Sequence, residues 1–184
     1  MNIIGTKFLE WHKQIDRDLP WKQTDDPYFI WLSEIILQQT RVQQGLPYYL
    51  KFIKQYPSVH DLANASQEEV FKTWEGLGYY SRARNLHKTA KYISGILNGK
   101  FPNNYDDLLK LSGIGPYTAA AISSFAFDED RAVLDGNVFR VLSRIYDIDI
   151  DILSSKGKKA FAELANSTMI EGKSAIYNQA IMDF

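Results

Sequence analysis

The chain has 184 residues, 45% hydrophobic and 23% charged, the make-up of one globular domain or two small lobes sharing a core, which excludes a disordered chain. With 21 basic and 22 acidic residues the formal net charge is −1, which excludes a strongly basic nucleic-acid binder but not a local basic strip. There is no cysteine, so disulfides, cysteine-ligated zinc and iron–sulfur ligation are excluded within this chain.

The three histidines, His12, His60 and His87, do not stand at metal-motif spacing. No apolar run reaches the roughly 20 residues of a membrane span. Met1 to Glu10 lack the layout of a signal peptide, so the expected location is the cytoplasm. An aromatic content of 14% predicts large buried anchors or surfaces on which bases stack.

Helical periodicity dominates. Ile4, Phe8, Trp11 and Ile15 predict a first helix, which Asp18-Leu-Pro-Trp21 ends. Asp26 as N-cap and Pro27 at the first helical position predict a second helix from Tyr28 to about Gln44. It is apolar on most sides, which places it in the middle of a bundle. Gly45-Leu-Pro47 predicts a break, followed by a short helix from Tyr48 to Gln55 that Pro57 closes. Ser66-Gln-Glu-Glu69 has the spacing of a capping box leading into Val70 to Trp74. Gly76-Leu-Gly78 is a turn, and Arg82 to Leu97 a long amphipathic helix ended by Asn98-Gly99. Tyr105 to Leu111 is helical, Ser112-Gly-Ile-Gly-Pro116 a tight turn, and Tyr117 to Phe127 a helix of small residues. Asp135-Gly136 introduces a helix from Asn137 to Tyr146, and two more are expected at about Ser155 to Thr168 and Lys173 to Phe184. Only Arg131 to Leu134 and Tyr146 to Ile152 carry weak strand signals. The fold class is all-α, with about ten helices joined by short turns.

Gly113-Ile-Gly115-Pro116 stands between two helices. Glycine permits positive φ and close backbone approach. Pro116 suits the first turn of the next helix, whose free N–H groups and positive dipole end suit a phosphate. Backbone amides are one way for a chain of net charge −1 to hold a nucleic acid. A dinucleotide fingerprint fails, because Thr118 occupies the place of the third glycine and no strand precedes. A plain helix–turn–helix corner remains the other reading.

Glu34 has Ile30, Trp31, Leu37 and Gln38 as helical neighbours. A carboxylate in such company is desolvated and its pKa rises toward that of a general acid. The alternative is a wet stripe of Glu34, Gln38 and Arg41. Asp135 before a helix reads first as an N-cap. As a pair, one carboxyl shielded by apolar groups and one held near backbone donors divide into acid and anion, as in glycoside cleavage.

Leu-Pro-Trp21, Asp26-Pro-Tyr28, Leu32-Ser-Glu-Ile-Ile-Leu-Gln-Gln-Thr40, Trp74-Glu-Gly-Leu-Gly-Tyr-Tyr80, Arg82-Ala-Arg-Asn-Leu-His87, Gly113-Ile-Gly-Pro-Tyr117 and Leu134-Asp-Gly-Asn-Val138 occur in this order. Together they closely resemble the MutY family of adenine DNA glycosylases, within the helix–hairpin–helix glycosylase superfamily. The resemblance runs from about residue 8 to the end.

It implies a helix–hairpin–helix glycosylase fold with a DNA cleft between two helical lobes. One, at about residues 20–127, is a six-helix barrel that carries the hairpin; residues 1–19 and 128–184 form the other. The implied partner is double-stranded DNA with adenine opposite 8-oxoguanine or guanine, bound by a monomer in the bacterial nucleoid, and the adenine is flipped out of the stack. By resemblance, Glu34 protonates adenine N7 and Asp135 stabilises the oxocarbenium-like sugar. Tyr117 sits beside the sugar, where bifunctional relatives have lysine, so no Schiff base forms there and the enzyme is monofunctional. Asn137 hydrogen-bonds the catalytic groups. Gln39, Thr40 and Tyr79 contact the duplex, with Gln39 and Tyr79 entering it. Arg82, Arg84, Lys88 and Lys91 form a basic strip that either tracks its backbone or is a solvated helix face, and Gly113 and Gly115 contact phosphate. The carbonyls of Leu109, Leu111 and Ile114 match positions that hold a monovalent cation. Trp21 and Lys22 line the base pocket; the family usually has Arg at position 22, and lysine cannot make a planar two-pronged contact.

In the family, Asn178-Gln-Ala-Ile-Met-Asp-Phe184 runs on into the cysteines of a [4Fe–4S] cluster and a further domain that reads 8-oxoguanine. The chain is therefore expected to be a cut fragment, with lowered stability and weak activity. Two other functions fit the same pattern: a sister glycosylase acting on T:G mismatches or oxidised pyrimidines, and a DNA-binding module made inactive by truncation.

Overall fold

The computed structural model describes residues 3–15 and 18–184, and every regular element among them is helical. The order is α1 (Ile3–His12), a 3-10 turn (Pro20–Lys22), α2 (Pro27–Leu37), α3 (Val42–Gln55), α4 (Val59–Asn64), α5 (Gln67–Trp74), α6 (Tyr80–Gly95), α7 (Tyr105–Leu108), α8 (Pro116–Phe127), α9 (Gly136–Tyr146), α10 (Ser155–Thr168) and α11 (Ser174–Asp183). None of these helices is long and apolar enough to cross a membrane.

Local chemistry sets several helix starts. The Asp26 carboxylate accepts the Tyr28 N–H at 2.8 Å, with Pro27 opening α2. Ser66 and Glu69 close a reciprocal capping box at the start of α5. Ser58 caps α4, a helix the periodicity does not announce.

The second helix differs from expectation. It stops at Leu37, and the chain turns through Gln39, whose φ is +56°. No break follows at Gly45-Leu-Pro47, because α3 runs through both residues to Gln55. Pro47 costs α3 only one early backbone bond. Gly45 serves close packing rather than a turn: a Cβ there would lie 2.6 Å from Leu37 Cδ2. The weak strand signal at 131–134 is also resolved. The Ala132 and Val133 N–H groups donate to the Asn166 and Asn178 side chains at 3.2 and 3.1 Å, which take the place of a neighbouring strand.

Two buried clusters organise these helices. The first gathers α2 to α6 and the hairpin around Trp31, Phe52, Leu62, Trp74, Leu86 and Ile93. The second gathers α1 and α9 to α11 around Phe8, Val138, Leu142, Phe161, Tyr177 and Ile181. Helix α8 belongs to both: Ala119 and Ile122 face the first, Ala120 and Ala121 the second. Its small residues let both clusters approach one helix closely.

Candidate active site

A cleft of about 700 Å³ opens where the two clusters meet. The C-terminal half of α2 brings Glu34 and Gln38, the start of α8 brings Tyr117, and the start of α9 brings Asp135 and Asn137. Trp21 and Lys22 come from the 3-10 turn, and Met182 and Asp183 from the end of α11. A smaller recess of about 60 Å³ continues past Glu34, adding Ser33, Phe125 and Gln179 to its walls.

Glu34 projects from a helix whose neighbouring positions, Ile30, Trp31, Ile35 and Ile36, are buried. Burial is the main reason its pKa is pushed up to about 7. A hydrogen bond from the Tyr117 hydroxyl pulls it back in part, and the charge of Asp135 adds to the rise. Glu34 is thus a carboxyl that holds and releases a proton near neutral pH. The Tyr117 phenol is raised far above its ordinary value by burial and then by the charges of Glu34 and Asp135, so it stays protonated.

Asp135 is the N-cap that its position suggests, and it also lines the cleft. One oxygen accepts the Val138 N–H at 2.8 Å and caps α9, while the other accepts the Asn137 amide at 3.2 Å. The cap fixes the carboxylate at the positive end of α9 and leaves it facing the cleft.

At the mouth of the cleft stand two side chains on left-handed backbone, Gln39 at φ +56° and Tyr79 at φ +48°. Neither is glycine, and each such residue costs about 1 kcal/mol or more. Both are exposed, Tyr79 by 66%. Thr40 lies beside them. Arg82 is not part of an outer basic strip. Its guanidinium is turned inward onto the carbonyls of Ile35, Ile36, Gln38 and Leu77, which are neutral acceptors already in place. Arg84, Lys88 and Lys91 do remain exposed on α6, at helical spacing.

The hairpin turn between α7 and α8 uses its glycines differently. Gly113 has φ +79°, and a Cβ there would meet Asn85 Cβ at 2.7 Å, so it satisfies both a turn and a close contact with α6. Gly115 has φ −93° with open space around it, so positive φ is not its reason. It stands at the N-cap of α8 and provides no side-chain acceptor, which leaves the first N–H groups of α8 to an outside partner. The carbonyls of Leu109, Leu111 and Ile114 lie on this turn, and that of Leu111 accepts the Ile114 N–H at 3.2 Å. No group of three or more acidic or histidine side chains among the described residues is placed to hold a metal ion. Without cysteine the chain offers no thiolate to an iron–sulfur cluster.

The last helix contributes residues that no local motif marks. Asp183 Oδ2 receives Lys22 Nζ at 2.5 Å and lies 3.2 Å from His12 Nε2, tying α11 to the 3-10 turn and α1. Lys22 therefore lines the recess with its ammonium already paired. Met182 Sδ lies 4.0 Å from the Tyr117 hydroxyl.

Two helical cores joined by one shared helix, a glycine hairpin at that helix's start and a carboxyl pair in the intervening cleft define a helix–hairpin–helix protein with an acid–base site. A family profile described as HhH-GPD superfamily base excision DNA repair protein matches residues 32–167, and the chain belongs to that superfamily. It is 44% identical over 187 residues to an adenine DNA glycosylase of Buchnera aphidicola subsp. Baizongia pistaciae (strain Bp), covering 98% of this chain and 51% of that protein. The chain thus spans about half the length of that relative. Among solved structures it is similar to a thermostable thymine-DNA glycosylase, at 30% identity and TM-score 0.88, covering 99% of this chain and 84% of the other. A non-covalent endonuclease III–DNA complex shares the fold at 20% identity and TM-score 0.78, covering 98% of this chain and 81% of the other.

Proposed function

We propose that the chain carries the catalytic core of a monofunctional adenine DNA glycosylase, acting on adenine opposite 8-oxoguanine or guanine. The observation that carries this reading is the pairing of Glu34, with its pKa near 7, and Asp135 in one cleft. The name of the Buchnera relative supports adenine as the base.

The target nucleotide is extruded into the cleft, with its base toward the recess walled by Trp21, Lys22 and Glu34. Protonated Glu34 donates its proton to a ring nitrogen of adenine, N7, which makes the base a better leaving group. The bond from that base to C1′ breaks, and its electron pair leaves with the adenine. Asp135 faces the positive charge that develops on the sugar. Water then adds to C1′ and gives its proton to the carboxylate that Glu34 has become, so the acid is restored and the products are free adenine and an abasic site. Tyr117 stays neutral beside both carboxyls, and Asn137 holds the second Asp135 oxygen. No lysine lines the cleft at the position of Tyr117, so strand cleavage through a Schiff base does not follow from it.

Double-stranded DNA fits the outer features. Gln39 and Tyr79 enter the duplex beside Thr40, Gly113 and Gly115 present amides to phosphate, and Arg84, Lys88 and Lys91 follow the backbone. Hard carbonyl oxygens at Leu109, Leu111 and Ile114 suit a monovalent cation that would steady the hairpin. We read the two buried clusters as lobes, residues 20–127 and residues 1–19 with 128–184, in a protein that acts as a monomer.

Single-turnover reactions of the 184-residue chain with A:8-oxoguanine, A:G and T:G duplexes test this. Adenine release is expected, and its loss in Glu34→Gln and Asp135→Asn while both still melt cooperatively. Release retained in both variants removes these residues from the chemistry. The similarity to a thymine-DNA glycosylase favours one second reading, a sister enzyme for T:G, which release of thymine without adenine would establish. Duplex binding with no base released would make the chain a DNA-binding module.

A further inference from the structure

Arg82 links the two turns at the cleft mouth. Its Nη1 lies 2.6 Å from the Gln38 carbonyl, 3.0 Å from that of Ile36 and 3.1 Å from that of Ile35, and its Nη2 lies 3.3 Å from the Leu77 carbonyl. Both nitrogens lie 3.5 Å from Thr40 Oγ1. Nη1 has two hydrogens for several acceptors, so those bonds are shared. The last carbonyls of α2 have no partners in their own helix, and a cation at that end also answers the helix dipole. The same guanidinium lies over the rings of Trp74 at 5.1 Å and Tyr79 at 5.6 Å. One planar fork therefore grips the chain just before Gln39 and just before Tyr79, the two left-handed residues.

We propose that Arg82 is a positioning residue that holds the Gln39 and Tyr79 turns at a fixed separation, so that both side chains enter the duplex together. This rests on the reading of Gln39 and Tyr79 as the residues that enter DNA. It assigns Arg82 no phosphate. Arg82 lines the cleft, but its two terminal nitrogens are turned onto four carbonyls of the protein rather than outward. A lysine at this position keeps the charge but reaches one turn at a time.

Arg82→Lys and Arg82→Gln in the 184-residue chain provide the test, with the lysine variant retained in case the glutamine variant fails to fold. Three readouts are compared with the parent chain: amide hydrogen exchange, the salt dependence of duplex binding, and the fluorescence of 2-aminopurine placed at the target adenine. Exchange is expected to rise at residues 38–40 and 77–80 together. The extrusion signal is expected to fall about tenfold while the salt slope stays unchanged. A slope reduced by about one would make Arg82 a phosphate contact and overturn the proposal. So would raised exchange at one turn only, or at neither. An absent extrusion signal in the parent chain would count against the glycosylase reading, and hydrogen exchange would still decide whether Arg82 couples the turns.

Discussion

Glu34 and Asp135 open on one cleft from different cores, and burial, followed by the negative charge of Asp135, holds a proton on Glu34 up to about pH 7. Base release that needs this proton is expected to fall above pH 7, approaching about tenfold per pH unit. Tyr117→Phe removes the hydrogen bond that lowers the Glu34 pKa, so the alkaline limb should move to higher pH. A single-turnover pH profile of both proteins checks this, and a limb unmoved or shifted downward contradicts it.

The same carboxyl is a stability liability. Its ordinary value is 4.5, so below that both folded and unfolded chains carry the proton, and between 4.5 and about 7 the folded chain binds it more strongly. The associated stability is fully present at low pH and is lost as pH rises through 7. Glu34→Gln is therefore expected to melt higher than the parent at pH 8, by as much as about 3 kcal/mol. The two should converge near pH 4, as thermal unfolding at the two pH values will show.

Asp135 combines a cap with a charge, and two substitutions separate them. Asp135→Asn keeps an oxygen for the Val138 N–H and is expected to melt close to the parent while releasing no adenine. Asp135→Ala loses the cap as well and should be less stable by about 1 kcal/mol. Equal melting temperatures for the two variants would show that the cap contributes nothing.

The hairpin glycines are expected to respond unequally. Gly113→Ala meets both a positive φ and Asn85 at 2.7 Å, and should destabilise the chain by at least about 1 kcal/mol. Gly115→Ala meets open space and should cost less than about 1 kcal/mol. Denaturant unfolding of the two variants ranks them, and the reverse order would refute this account of the turn.

Helix starts written by adjacent residues were legible from sequence: Asp26 with Pro27, Ser66 with Glu69, and Asp135. So was Glu34 as a carboxyl among apolar residues. The end of α2 was not, because Gln38-Gln-Thr-Arg41 contains no Gly or Pro to announce a stop and the break is held from a distance by Arg82. That same side chain looked like a surface cation, since its place near other basic residues on one helix, Arg84, Lys88 and Lys91, says nothing of which way a guanidinium points. Gln179, Met182 and Asp183 reach the site through the docking of α11 against α1, α8 and α9, and no local pattern encodes that.

Helix α8, whose alanines face both cores, has a mechanical consequence. Two cores that share one helix are expected to resist swinging apart like jaws, because opening them would have to break the packing of that helix against one of them. Under the proposed glycosylase reading, which needs a nucleotide taken out of a duplex, the strain would then fall on the DNA, which would have to bend and unstack to reach the site. Discrimination among sequences would then be felt partly as the stiffness of the base steps flanking the target, at positions no side chain touches.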